Sequence, residues 1–318
     1  MTEEEIWRPI LPDSCFSPQV PTIKAYVCDI LDPKATGKII EMLNSSFPEP
    51  KLSHLKRVNS KKNEGKLQAL LSVDEAQKLS QILDCFKTKD IAISEPFLVE
   101  VPSEGGKTKT QHQHSMTLWP VTNFCADKYL ESVLDGTNFT KSVRCEIEQL
   151  MGVALKAAEK SKQLGGKGIG AVIAFKGQVL AIGCDARNKH PLKHAVLAAI
   201  DMVAWAKLTV KEEPPEWIGN ELADCRVDIL NAPQAYLCTD YDVVVTREPC
   251  TFCAMALLHN RVKRIFYGCN YENGALGSAL KLHTLPDINH RYEVFGGVRQ
   301  RECLEVLSTC DMQHKCFS

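Results

Sequence analysis

Three side chains in this sequence have the types and spacing of a metal site. His194 opens His194-Ala195-Val196, and Cys250 and Cys253 lie in Pro249-Cys250-Thr251-Phe252-Cys253. One imidazole and two thiolates supply three ligands of a tetrahedral zinc, with one position left over. Cysteines three apart share one face of a helical first turn. The positive end of that helix favours thiolate, the form a metal needs. Arg247-Glu248 leads into Pro249, and proline suits the first turn of a helix. A C-x-x-C pair alone also fits a redox site or half of a zinc ribbon. A redox pair belongs after the first strand of its unit, whereas this one follows residues 236–246, late in the chain.

A histidine two residues before a glutamate, followed later by Pro-Cys-x-x-Cys, is the zinc deaminase pattern. Its glutamate moves protons between metal-bound water and the base. Here Val196 stands in the glutamate position, and valine neither accepts nor donates a proton. Asp201 is the nearest acid on the same predicted helix. Seven residues of helix put it about 10.5 Å along the axis from His194, beyond the hydrogen-bond reach of a general base. A carboxylate from a distant loop stays open as a substitute.

The segments EPCTFCAMALLHNRVKRIFYG (248–268), GALGS (274–278) and LPDINHRYEVFGGV (285–298) resemble the tRNA adenosine deaminase family. With the valine and the long N-terminal extension, the resemblance narrows to the non-catalytic subunits of the eukaryotic heterodimeric tRNA wobble-adenosine deaminase. That resemblance implies bound zinc, a catalytic partner subunit, a tRNA substrate, and conversion of wobble adenosine to inosine. It also implies an asparagine before the zinc histidine that contacts the target nucleotide, and Asn188 is the candidate. Two other readings remain: an active nucleoside or base deaminase with a substitute acid, and an RNA-binding scaffold with a structural zinc. The tail offers Cys310, His314, Cys316 and the terminal carboxylate of Ser318 as candidates for the fourth zinc position.

The elements that must position these groups are expected in a C-terminal domain, 137–318. A helix over 141–163 buries Val143, Ile147, Leu150, Met151, Ala154 and Leu155 on one face. Strands follow at 168–174 and 178–183, then an apolar helix over 191–206. Residues 207–234 carry Pro214-Pro215 and read as a surface insertion. Strands at 242–246 and 262–267 flank a second apolar helix over 251–259, and a last helix spans 299–308. Helices between strands of a mixed sheet give a three-layer α/β/α, cytidine-deaminase-like domain. The apolar surface left on the two helices suggests a subunit interface.

The stretch 22–105 reads as a separate α+β domain. Strands at 23–31, 52–58, 67–73 and 97–101, with helices at 36–43 and from Asp74 to about 86, follow the ferredoxin-like order β-α-β-β-α-β. Within 51–66, Lys51, Lys56, Arg57, Lys61, Lys62 and Lys66 stand against the single acid Glu64. Such density near a hairpin suits an RNA backbone; a solvated charged turn is the other reading. Residues 1–21 carry four prolines and are expected to be extended, with Trp7, Ile10, Leu11 and Phe16 free to lie on a surface. A polar, glycine-containing linker is expected within 106–136.

The chain has 318 residues and a formal net charge of −1, so any nucleic-acid footprint must be local. No run reaches the roughly 18 apolar residues of a membrane helix. The acidic start, MTEEEIWRPI, has no apolar signal region. The 14 cysteines therefore read as reduced thiols, two of them metal-bound, in an intracellular protein of cytoplasm and nucleus.

Overall fold

The computed structural model describes residues 7–61, 65–73, 76–208 and 236–314, without the side chains of 76, 208 and 309–314. The chain divides into two compact units, 13–132 and the combination of 1–12 with 133–318. The first strand, β1 (Arg8–Pro9), thus belongs with the C-terminal half.

After a short helix α1 (Asp13–Phe16), the N-terminal unit runs β2 (Thr22–Asp29), α2 (Thr36–Ser46), β3 (Val58–Lys61), β4 (Lys66–Val73), α3 (Ala76–Thr88) and β5 (Phe97–Pro102). The sheet order is β3-β4-β2-β5, and every pairing is antiparallel, as a ferredoxin-like arrangement requires. Alternation along β2 and β4 sends Cys28, Ala69 and Leu71 to the α2 and α3 side, against Ile39, Leu43, Ile82 and Phe86. Ala25, Val27 and Leu70 point the other way, and Leu52, Leu55, Trp119 and Val121 cover them. Both faces of this sheet are therefore closed.

Two expectations are corrected here. Residues 52–58 do not form a strand. Pro50–Leu52 makes a 3-10 turn, and Leu52 and Leu55 drop into the core, so the strand starts only at Val58. The linker expected over 106–136 contains α4 (Lys109–Leu118) and α5 (Lys128–Leu134). Its polarity hides α4 because the buried side chains are polar but satisfied. The Gln111 amide donates to the carbonyls of Ser14 and Ser17, and the Ser115 hydroxyl to that of Gln111. Thr108 caps the helix by accepting from the Gln111 N–H. Lys62 and the expected Asp74 cap lie outside the described residues, as does the insertion expected over 207–234 beyond its first two positions.

The C-terminal unit continues with α6 (Lys141–Gln163), β6 (Gly170–Phe175), β7 (Gln178–Cys184), α7 (Ala195–Leu208), β8 (Asp242–Arg247), α8 (Thr251–His259), β9 (Arg264–Cys269), β10 (Glu293–Gly296) and α9 (Gln300–His314). Its sheet has the order β1-β10-β9-β8-β6-β7. The β8, β9 and β10 strands are parallel, and the remaining pairings are antiparallel. Ala171, Ile173, Val243 and Val245 face α7 and α8, whereas Val172, Ala174, Val244 and Phe266 face α6 and α9. These are the expected three layers. From Trp7 on, the N-terminal segment is neither loose nor wholly extended. Trp7 is buried against Phe139 and Phe266, β1 pairs with β10, and Phe16 is exposed. Among the described residues no helix is long and apolar enough to cross a membrane.

Candidate metal centre

Strand direction brings the three ligands together. Both β7 and β8 are antiparallel to β6, so they run the same way. The helices that follow them, α7 and α8, therefore start beyond the same end of the sheet and pack on the same face. His194 immediately precedes α7, and its carbonyl accepts from the Ala198 N–H. Cys250 is the N-cap of α8, and Cys253 lies in its first turn. Close approach of α7 to β7 depends on Gly183: a Cβ there would lie 2.0 Å from the Ala195 carbonyl oxygen.

His194 Nδ1 lies 3.6 Å from Cys250 Sγ and 3.4 Å from Cys253 Sγ. A tetrahedral zinc with nitrogen at about 2.05 Å and sulfur at about 2.3 Å separates those atoms by about 3.6 Å. Among the described residues this is the cluster of His, Cys and acidic groups that fits a metal ion. The donors are electrostatically ready. The Cys253 thiol, with help from helix N–H groups and His194, brings the Cys250 pKa down to about 5, while that same hydrogen bond and burial push the Cys253 thiol up.

The space beside these ligands is small. A cavity of about 20 Å³ is lined by Asp185, Arg187, Val196, Arg247 and Tyr271 among others. A single water needs about 10–15 Å³, whereas ligand pockets run to roughly 300–1,000 Å³. Val196 is buried in the wall. Two carboxylates also reach this region, and both are committed. Asp185 accepts from the Lys167 and Arg187 N–H groups and pairs with Arg187 Nε at 2.6 Å. Glu248, buried, accepts from the N–H groups of Tyr271, Leu276 and Ser278 and from the Ser278 hydroxyl. It ties the 271–278 loop to the start of α8, and a Cβ at Gly274 would strike its carboxylate. Arg247 lies over the Tyr271 ring at 4.1 Å.

Other expected site residues are placed differently. Asn188 does not line the cavity; its amide donates to the Leu164 carbonyl at 2.8 Å. Asp185 and Arg187, three and one residues earlier, occupy the position by the metal ligands. Arg57 is half-buried, and its guanidinium donates to the Asn44 side chain and to the carbonyls of Phe47, Leu70 and Leu71. Lys51 and Lys56 are exposed on the segment before β3, Lys61 is exposed at the strand's end, and Lys66 pairs with Asp29 at 3.6 Å. The side chains of Cys310 and His314, and residues Cys316 and Ser318, lie outside the described set.

Comparison with known proteins agrees with this geometry. The cytidine and deoxycytidylate deaminase zinc-binding region matches residues 145–269, which include all three ligands. The tRNA-specific adenosine deaminase TAD3 N-terminal domain matches residues 23–119. A Danio rerio protein named probable inactive tRNA-specific adenosine deaminase-like protein 3 is 34% identical, over 94% of this chain and 94% of its own. The chain belongs to this family. Similarity to this chain reaches a fungal protein: the Schizosaccharomyces pombe protein named tRNA-specific adenosine deaminase subunit tad3 is 28% identical, over 84% of this chain and 81% of its own. A tRNA-specific adenosine deaminase of Haemophilus influenzae is 34% identical over 52% of this chain and 84% of its own length.

Proposed function

We propose that this chain is the non-catalytic, zinc-binding subunit of a tRNA adenosine deaminase that converts wobble adenosine to inosine. The observation that carries this reading is a complete ligand set, His194, Cys250 and Cys253, beside a buried Val196 and a cavity of about 20 Å³. In an active deaminase a zinc held by such ligands supplies a hydroxide at neutral pH. In this chain His194 and the two cysteines use the metal to fasten the start of α7 to the start of α8. A partner subunit carries the proton-transferring glutamate. The names of the relatives, a subunit and a probable inactive protein, support the same division of labour.

The reading with a substitute acid is weaker. A general base needs a free lone pair within reach of the proton. Asp185 and Glu248 are the carboxylates lining the cavity: Glu248 already accepts four hydrogen bonds, and Asp185 accepts from two backbone N–H groups and is ion-paired with Arg187. Exposed Phe252 and Met255 on α8, with exposed Leu192 just before His194, supply apolar surface for the partner.

RNA contact is assigned to Lys51, Lys56, Lys61, Lys62 and Lys66. Arg57 is removed from that set because its donors are spent inside the unit. Single-stranded RNA readers often stack bases on an open sheet face. That face is plugged here by Leu52, Leu55 and Trp119, which leaves edges and surface segments for the backbone. Native mass analysis of the purified assembly, with metal content measured on the same sample, tests the proposal. One zinc per chain and a co-purifying deaminase with an intact His-Ala-Glu are expected. A metal-free chain that folds, or a chain isolated with no deaminase partner, would overturn it.

A further inference from the structure

The N-terminal unit carries an open groove of about 550 Å³ between the end of α2 and the 48–58 segment. That volume falls within the range of small-ligand sites. Ile40, Pro48, Pro50 and Val58 give it an apolar floor, and Asn44, Ser53 and Thr122 bring hydrogen-bonding groups to its edge. Its charge is fixed by Arg57. Every hydrogen bond described for that guanidinium ends on a neutral oxygen, of Asn44, Phe47, Leu70 or Leu71. Glu49, the acid that acts on Arg57, is bonded to Lys78 at 2.7 Å. With Lys56 exposed on the rim, the groove is left positive.

An apolar floor, polar edge groups and a net positive lining, Lys56 and Arg57 against a Glu49 already paired with Lys78, together fit a flat heterocycle joined to a phosphate. We propose that this groove is a subsite for one unpaired nucleotide of bound RNA, its base against Ile40 and Pro50 and its phosphate toward Lys56, with the Arg57 charge behind it. The subsite rests on the RNA-binding reading above and deepens it. A base inside a duplex is stacked and hidden, so the groove selects an unpaired position.

Ser53 and Thr122 are exposed, so Ser53→Trp and Thr122→Trp fill the groove without cutting the core. Binding is measured for the whole subunit in its complex, with tRNA, an unstructured oligoribonucleotide and a duplex RNA of equal length, across a salt series. Blocking one base-stacking position predicts about a tenfold weaker tRNA and oligoribonucleotide affinity, an unchanged salt slope, and no change for duplex. The lysine variants Lys51→Ala and Lys61→Ala should instead flatten the slope. Unchanged affinity for tRNA and oligoribonucleotide in both tryptophan variants would overturn the subsite and leave the RNA reading intact. Wild type that binds no RNA at low salt would remove both. Displacement of a peptide rather than RNA by the tryptophans would also overturn the subsite. For variants that do not fold, 4-thiouridine cross-linking of the wild type gives the same decision: adducts within 48–58 support the subsite, and adducts only elsewhere contradict it.

Discussion

Val196 is buried in the wall of the cavity, and in the proposed reading its isopropyl group stands where proton transfer would need a carboxylate. Restoring the acid should not restore the chemistry, because the cavity has room for about one water and none for adenine. Val196→Glu is therefore expected to make no inosine by itself, and to lower the unfolding temperature through a buried, unpaired carboxyl. Inosine formation by the purified variant would show that the pocket opens. Cys250→Ala and Cys253→Ala should each abolish zinc in metal analysis, and acid should strip it from wild type as protons compete for the thiolates. The three candidate ligands stand out in the sequence because their types and spacing alone suggest a metal, and the fold brings their donor atoms within 4.8 Å of one another. Asp185 and Arg187 do not, since their role depends on a backbone N–H from Lys167 that only folding delivers. Asn188 shows the same dependence on folding: its amide donates to the Leu164 carbonyl, a contact between residues 24 apart that no local pattern announces.

The elements divide by the strength of their pattern. Long apolar helices such as α7 and α8 declare themselves, and so do the strands between them. The β1 strand, two residues with a proline, has no period to read, yet it holds an edge of the sheet. Trp7 fills space between Phe139 and Phe266, with the Arg144 guanidinium over its ring. Trp7→Ala should cost about 3–5 kcal/mol, read as a lower denaturant midpoint. His283 secures the same segment through a hydrogen bond from Nε2 to the Ile10 carbonyl. Burial, the main cause, keeps its pKa below the ordinary 6.5. As pH falls below 6.5 the unfolded chain takes up a proton that the folded chain resists, so stability drops toward acid. His283→Gln should make that decline shallower between about pH 7.5 and 5.5. Identical pH slopes would remove His283 from the explanation.

At the scale of the whole molecule, one chain joins a ferredoxin-like unit to a deaminase-like unit, and the two differ in how openly the sequence declares them. Specific segments make the deaminase-like unit legible. In the N-terminal unit the order of elements shows the topology, while Trp119 and Leu55, which cover its second sheet face, sit in stretches whose patterns suggest a linker and a strand. Its lysines carry a test of their own. Replacing Lys51, Lys56 and Lys61 with alanine should weaken tRNA binding and reduce the salt slope by about one for each phosphate no longer neutralised. An unchanged slope would return them to a solvated surface. The central claim concerns who performs the chemistry. The most direct measurement is inosine formation at the wobble position of tRNA by this chain alone, by its complex, and by a complex whose partner lacks its glutamate. Inosine from the intact complex only is the expected result. Inosine made by the unpaired chain, persisting after contaminating deaminase is removed, would contradict the assignment.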